Sequence, residues 1–173
     1  EMQAKAATYN ISDPLKWEER MRVIPTAFIC RTSAHKLIGD VVGFIYYFGD
    51  DDLAFRYRRN GYKLIVCGDV FVHHEGTTAS VKSEEDYRNQ LEIGRNLFRR
   101  KYYGIDAWDD VCNYEDQMVR FLFENCLFSK TEAPMILGID VKCGTPLLEM
   151  KNYLRKKHVL QVNLFSYATN PKY

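Results

Sequence analysis

Apolar residues recur at helical spacing in four stretches, with short continuous apolar runs between them, so the chain reads as helices interleaved with short strands. Residues 23–31 are extended and apolar around Pro25, which predicts an edge strand, and residues 33–37 predict a short helix closing at Gly39. A helix follows over 51–60, with Leu53, Ala54 and Tyr57 facing inward and Gly61 where a left-handed residue commonly ends a helix. Residues 62–67 and 70–72 read as two short strands. Ser83, with Asp86 three positions on, starts a longer helix in the manner of a capping box. Tyr87, Leu91, Gly94, Phe98 and Tyr102 keep one face of it apolar or small. Arg95, Arg99, Arg100 and Lys101 sit near its end, where the helix dipole favours cations, and Gly104 closes it.

A further helix is expected over 114–128, its apolar side formed by Met118, Phe121, Leu122, Cys126 and Leu127 and in need of a packing partner. Residues 135–141 read as a buried strand, 147–154 as a helix through Leu147, Met150, Lys151 and Leu154, and 159–165 as a second strand, which together make a βαβ unit. The expected fold class is therefore α/β. A boundary near residues 105–109 divides the chain into 1–110 and 111–173, the second part a helix plus the βαβ unit. Alone, such a unit leaves both sheet edges open, so it either adds to the first domain or begins a second one. The first 22 residues are only weakly periodic, with Asp13-Pro14 reading as a turn or a helix entrance.

Composition narrows the picture. At 173 residues, 46% hydrophobic and 27% charged, the chain can build one full core or one domain plus part of another. Its net charge of +1 lacks the basic excess of a nucleic-acid binder. The arginine run at 56, 58 and 59 is expected to be solvated surface. Five cysteines, at 30, 67, 112, 126 and 143, form no Cys-x-x-Cys pair, which suits a reducing compartment. Neither an apolar run of membrane-spanning length nor a hydrophobic targeting core at the start is present. The expected location is cytoplasmic, with any membrane association made through partners or segments outside this chain.

Candidate chemistry concentrates at Phe44-Ile45-Tyr46-Tyr47-Phe48-Gly49-Asp50-Asp51-Asp52, where an aromatic ridge runs into three consecutive carboxylates at a helix start. Acids there can simply satisfy free N–H groups and the dipole, or they can take a proton or hold a metal. The strands that follow deliver His73-His74-Glu75-Gly76 to a loop.

The order of these features resembles the carboxy-terminal, acceptor-side half of an inverting family 2 nucleotide-sugar glycosyltransferase. The likeness covers roughly residues 23–104. It rests on Gly39-Asp40, the aromatic stretch Tyr46-Tyr47-Phe48, Gly49-Asp50-Asp51-Asp52-Leu53, the arginine helix closed by Gly61-Tyr62, Val72-His73-His74-Glu75-Gly76, and the closing helix from Arg95 to Gly104. The resemblance implies a partial GT-A fold. It makes Asp50 the general base that takes the proton of the acceptor hydroxyl, with Tyr46, Tyr47, Asp51 and Asp52 on the acceptor side. It also implies a divalent metal, Mn²⁺ or Mg²⁺, on the leaving diphosphate of the complete enzyme, with His73 as the matching residue here; as a plain loop anchor, His73 would need no metal. The expected ligands are a nucleotide-sugar donor and a carbohydrate acceptor. Two departures stand out: Gly49 replaces the family's Glu, and the nucleotide-binding half is absent, so the fragment by itself is expected to be inactive and to hold no cofactor tightly.

Residues 136–146 resemble a degenerate first loop of a methyltransferase-like α/β domain, with only Gly138 and Gly144 available and Pro146 lacking an N–H. A strand-to-helix turn without cofactor is the expected reading. The alternative to a transferase is a non-catalytic acceptor-binding or assembly module. Because half of the implied fold is missing, exposed apolar surface is expected to recruit further copies into a homodimer or larger assembly, through the 114–128 helix or the edge of the 135–165 strand pair.

Overall fold

The computed structural model describes residues 1–24, 26–44, 47–74, 83–125, 128 and 133–173. It is a mixed α/β structure in which the strands form two separate small sheets. Helix α1 (Met2–Tyr9) precedes strand β1 (Trp17–Arg20), the short helix α2 (Thr32–Ile38), helix α3 (Gly49–Arg59) and strand β2 (Leu64–Cys67). The long helix α4 (Glu84–Lys101) leads through a π-helical turn (Ala107–Val111) to α5 (Asp116–Asn125). Strand β3 (Met135–Ile139), helix α6 (Thr145–Lys156) and strand β4 (Asn163–Tyr167) complete it. No helix among the described residues is long and apolar enough to cross a membrane.

Local chemistry sets several boundaries. Asn60 caps α3 and Gly61 follows at φ 81°, the left-handed conformation that only glycine adopts without strain. The Ser83 hydroxyl accepts from Asp86 N at 3.1 Å and starts α4. Mid-helix Gly94 is a close-approach position: a Cβ there would lie 2.7 Å from the Phe48 ring and 2.9 Å from the Tyr47 carbonyl.

β3 and β4 pair in parallel with α6 between them, so the expected βαβ unit is present. β3 is not buried as expected, and β4 begins at Asn163, so residues 159–162, expected as strand, are irregular. α6 covers one face, whereas Met135, Leu137, Ile139, Phe165 and Tyr167 are each more than half exposed. α5 also turns differently from its expected apolar side. Val119 and Phe123 are buried against α6, while Phe121 is largely exposed and Met118 and Leu122 are partly so; Cys126 and Leu127 lie outside the described residues.

The first sheet departs further from expectation. Described residues in 23–31 form no strand, Pro25 lies outside the described residues, and 70–72 are irregular. β2 instead pairs antiparallel with Trp17-Glu18-Glu19-Arg20, in register from Trp17↔Cys67 to Arg20↔Leu64. This polar strand is held by tertiary partners. Buried Glu19 meets Arg58 of α3 at 2.5 Å and Lys151 of α6 at 2.7 Å. Asn152 of α6 brackets the same residue's backbone, accepting from Glu19 N at 3.0 Å and donating to Glu19 O at 2.9 Å. Replacing Asn152 by Ala leaves both backbone groups buried and unsatisfied, so urea denaturation should show a loss of about 2–4 kcal/mol.

Residues from both sides of position 110 share one apolar cluster: Met21, Phe48, Phe55, Phe98, Tyr102, Ala107, Val111 and Leu148. The π-helical turn is pinned into it by Asp106, which accepts from Trp108 N and Asp109 N, both at 2.8 Å. Arg95 grips the same carboxylate at 2.7 and 3.0 Å, and Arg99 joins it. Burial opposes ionisation here, but the Arg95 guanidinium and the two backbone donors hold Asp106 well below the usual carboxylate range.

Candidate active site

The acidic segment is aimed by one unusual backbone turn. Phe48 caps α3 in the left-handed conformation at φ 67°, a strained choice for an aromatic residue, and its ring is buried 5.1 Å from Trp108. The buried ring and the turn together bring three acids to the first turn of α3, where unsatisfied N–H groups favour negative charge.

From there the three side chains diverge. Asp50 is partly exposed and lines a cavity of about 690 Å³ between α3, β2 and residues 23–24 and 27–34. Among the described residues its lining is mainly apolar, including Leu53, Ala54, Tyr57, Ile65 and Val72, with Arg31 and Lys63 as cations and Asp50 as the one carboxylate. Asp51 points inward, 4% exposed, against Arg22. Burial first, and then neighbouring Asp50, push its carboxyl up to about 7 against the opposing pull of Arg22. Asp52, at 0% exposure, is wholly enclosed. Tyr102 donates to its Oδ1 at 2.6 Å, Lys101 approaches the same oxygen at 2.6 Å, and Arg56 Nε donates to Oδ2 at 2.9 Å.

Acceptor-side placement of Asp52 is therefore corrected: every polar atom it has is committed to the protein interior. Asp51 is nearly as enclosed and reaches the cavity only through its neighbour. The half-buried Tyr47 ring packs edge-on against Tyr87 at 5.3 Å, and Tyr46 lies outside the described residues.

His73 is exposed beyond β2, and Glu75-Gly76 lie outside the described residues. No group of three or more His, Cys, Asp or Glu side chains that could hold a metal exists among the described residues. His73 belongs to no such group, and residues 75–82, which follow it and His74, lie outside the described residues.

The arginines expected as solvated surface are mostly engaged. Arg56 donates to the carbonyls of Ile38, Gly39 (3.0 Å) and Asp40 (3.0 Å), satisfying the open end of α2 as well as pairing with Asp52. Arg58 holds Glu19, and only Arg59 stays exposed, near the Phe55 and Tyr102 rings.

Two groupings were not found by sequence reasoning. Arg22 lies 29 residues before Asp51, in a stretch with no motif, and meets it only through the fold. His35 links α2 to the cavity wall, with Nδ1 3.3 Å from the Tyr57 hydroxyl and Nε2 2.9 Å from Asp40. Burial, and then the Cys30 thiol beside it, push the Tyr57 hydroxyl up to about 12. Comparison of the chain with protein families, curated proteins and solved structures returned no match.

Proposed function

We propose that this chain is the acceptor-side half of an inverting nucleotide-sugar glycosyltransferase, with Asp50 as its general base. One observation carries the reading: of three consecutive acids, Asp50 alone faces an open cavity, while Asp51 and Asp52 are consumed by interior ion pairs. A sugar hydroxyl is a weak nucleophile. Asp50 accepts its proton as the oxygen bonds to the donor's anomeric carbon, and the bond from that carbon to the diphosphate oxygen breaks on the opposite face, so the nucleoside diphosphate leaves with the electron pair. Inversion follows from this single displacement. The nucleotide and any metal belong to a donor-binding half outside this chain. The test joins the chain to that half and measures release of nucleoside diphosphate from a panel of nucleotide sugars, with NMR of the product's anomeric configuration. A retained configuration, or release that does not depend on an acceptor, sinks the reading.

The assembly-module alternative draws on a different observation, the open apolar face of β3 and β4 and the edges they leave unpaired among the described residues. Covering it with a second copy removes both liabilities at once. Light scattering at micromolar protein should return about twice the 20.3 kDa chain mass, and Leu137→Lys should restore the monomer. A wild-type mass near 20.3 kDa rejects self-assembly.

A further inference from the structure

The guanidinium of Arg22, two residues past β1, lies between the carboxylates of Asp50 and Asp51. Nη2 donates to Asp51 Oδ2 at 3.2 Å and lies 3.6 Å from Asp50 Oδ2, while Nε approaches Asp51 Oδ1 at 2.6 Å. That last contact is an ion pair without an aligned hydrogen bond, and Arg22 Nε and Asp51 Oδ1 are both buried with no other partner. Buried polar atoms left in this state are rare in folded proteins. Cys112, which follows the π-helical turn, has its thiol pushed up to about 11, chiefly by burial, and Tyr114 lies near Arg22. Neither supplies a second countercharge.

We propose that Arg22 is a positioning residue for Asp50, and that buried Asp51 sets how much of the guanidinium's charge Asp50 feels. Its catalytic meaning rests on the transferase reading above, but the coupling itself is a property of this chain. An arginine facing a general base alone would hold it in place yet make it a weaker proton acceptor. With Asp51 ionised, the guanidinium is shared between two acids and its pull on Asp50 is partly cancelled. With Asp51 protonated, Arg22 pairs with Asp50 alone. This arrangement also gives Asp50 an anchor that Gly49, with no side chain, cannot provide.

The pH dependence has a definite sign. Folding raises the Asp51 carboxyl, so between pH of about 4 and about 7 the folded chain keeps a proton that the unfolded chain has released. Stability from this source is full below about pH 4 and is lost as pH rises through 7.

The experiment is ¹³C NMR of the Asp carboxyl carbons in the 173-residue chain from pH 3 to 9, with assignments from Asp50→Asn and Asp51→Asn, together with three-bond couplings reporting the Asp50 χ1 rotamer. Asp51 should titrate near pH 7, and the Asp50 resonance should show an inflection in the same range that vanishes in Asp51→Asn. In Arg22→Gln the Asp51 midpoint should rise by about one pH unit or more, and the Asp50 couplings should average; Arg22→Lys should recover the midpoint but not the fixed rotamer. An Asp50 resonance indifferent to Asp51, or a rotamer unchanged in Arg22→Gln, overturns the proposal. Should Arg22→Gln fail to fold, the wild-type and near-isosteric Asp51→Asn titrations decide the coupling, and the Asp50 couplings in Arg22→Lys decide the anchoring. Coupling without glycosyl transfer would reject the transferase reading and leave this inference standing, whereas transfer that needs Asp50 without coupling would do the reverse.

Discussion

On the transferase reading proposed above, replacing Asp50 by Asn in the chain joined to a donor-binding half should lower glycosyl transfer by about 10²–10⁴-fold, the range spanned by general-base catalysis, while donor affinity and folding stay close to wild type. The size follows from what is removed. Asn keeps the shape and a hydrogen-bond acceptor but cannot take the proton that the attacking hydroxyl must lose. Folding is spared because Asp50 is partly exposed, its ion pair with Arg22 is long at 3.6 Å, and Arg22 keeps its closer partner Asp51. Nucleotide release reads the rate, and calorimetric titration of the donor reads binding. Turnover within about threefold of wild type would remove Asp50 from the role, a loss far below the general-base range.

Two positions along, the same substitution should act on a different quantity. Asp52→Asn should cost about 3–5 kcal/mol of stability, the usual penalty for removing one partner of a buried charge group. Asp52 balances Arg56 and Lys101 and accepts from the buried Tyr102 hydroxyl, whose own ionisation is pushed up first by burial and then by this acid. Losing its charge leaves Arg56 without the countercharge that fixes it, and Arg56 is also what satisfies the end of α2. Urea denaturation at neutral pH measures the effect directly. A loss below about 1 kcal/mol would mean that the network relaxes or that water replaces the acid.

These outcomes differ although the local sequence is Asp-Asp-Asp, which marks what a sequence can carry. Periodicity and termini were legible: α3 and α4, with Gly61 and Ser83 at their ends, and the order of the βαβ unit, lie close to where spacing and capping chemistry put them, although β4 starts four residues later than expected. Such features depend on neighbours within a few residues, so the chain states them openly. β1 was not legible because Glu18, Glu19 and Arg20 show no apolar alternation. It exists because β2, Arg58, Lys151 and Asn152 arrive from elsewhere. The burial side of α5 failed for a related reason, since an amphipathic helix offers two flanking apolar stripes and the position of α6 selects Val119 and Phe123.

By itself, then, the sequence determined that a helix begins at three acids after an aromatic run, and that its dipole welcomes them. Which acid faces the cavity, which shares Arg22 and which is sealed beneath Tyr102 was decided by tertiary structure. Successive helical residues point about 100° apart, so each acid met a different wall, and those walls come from segments remote in the chain.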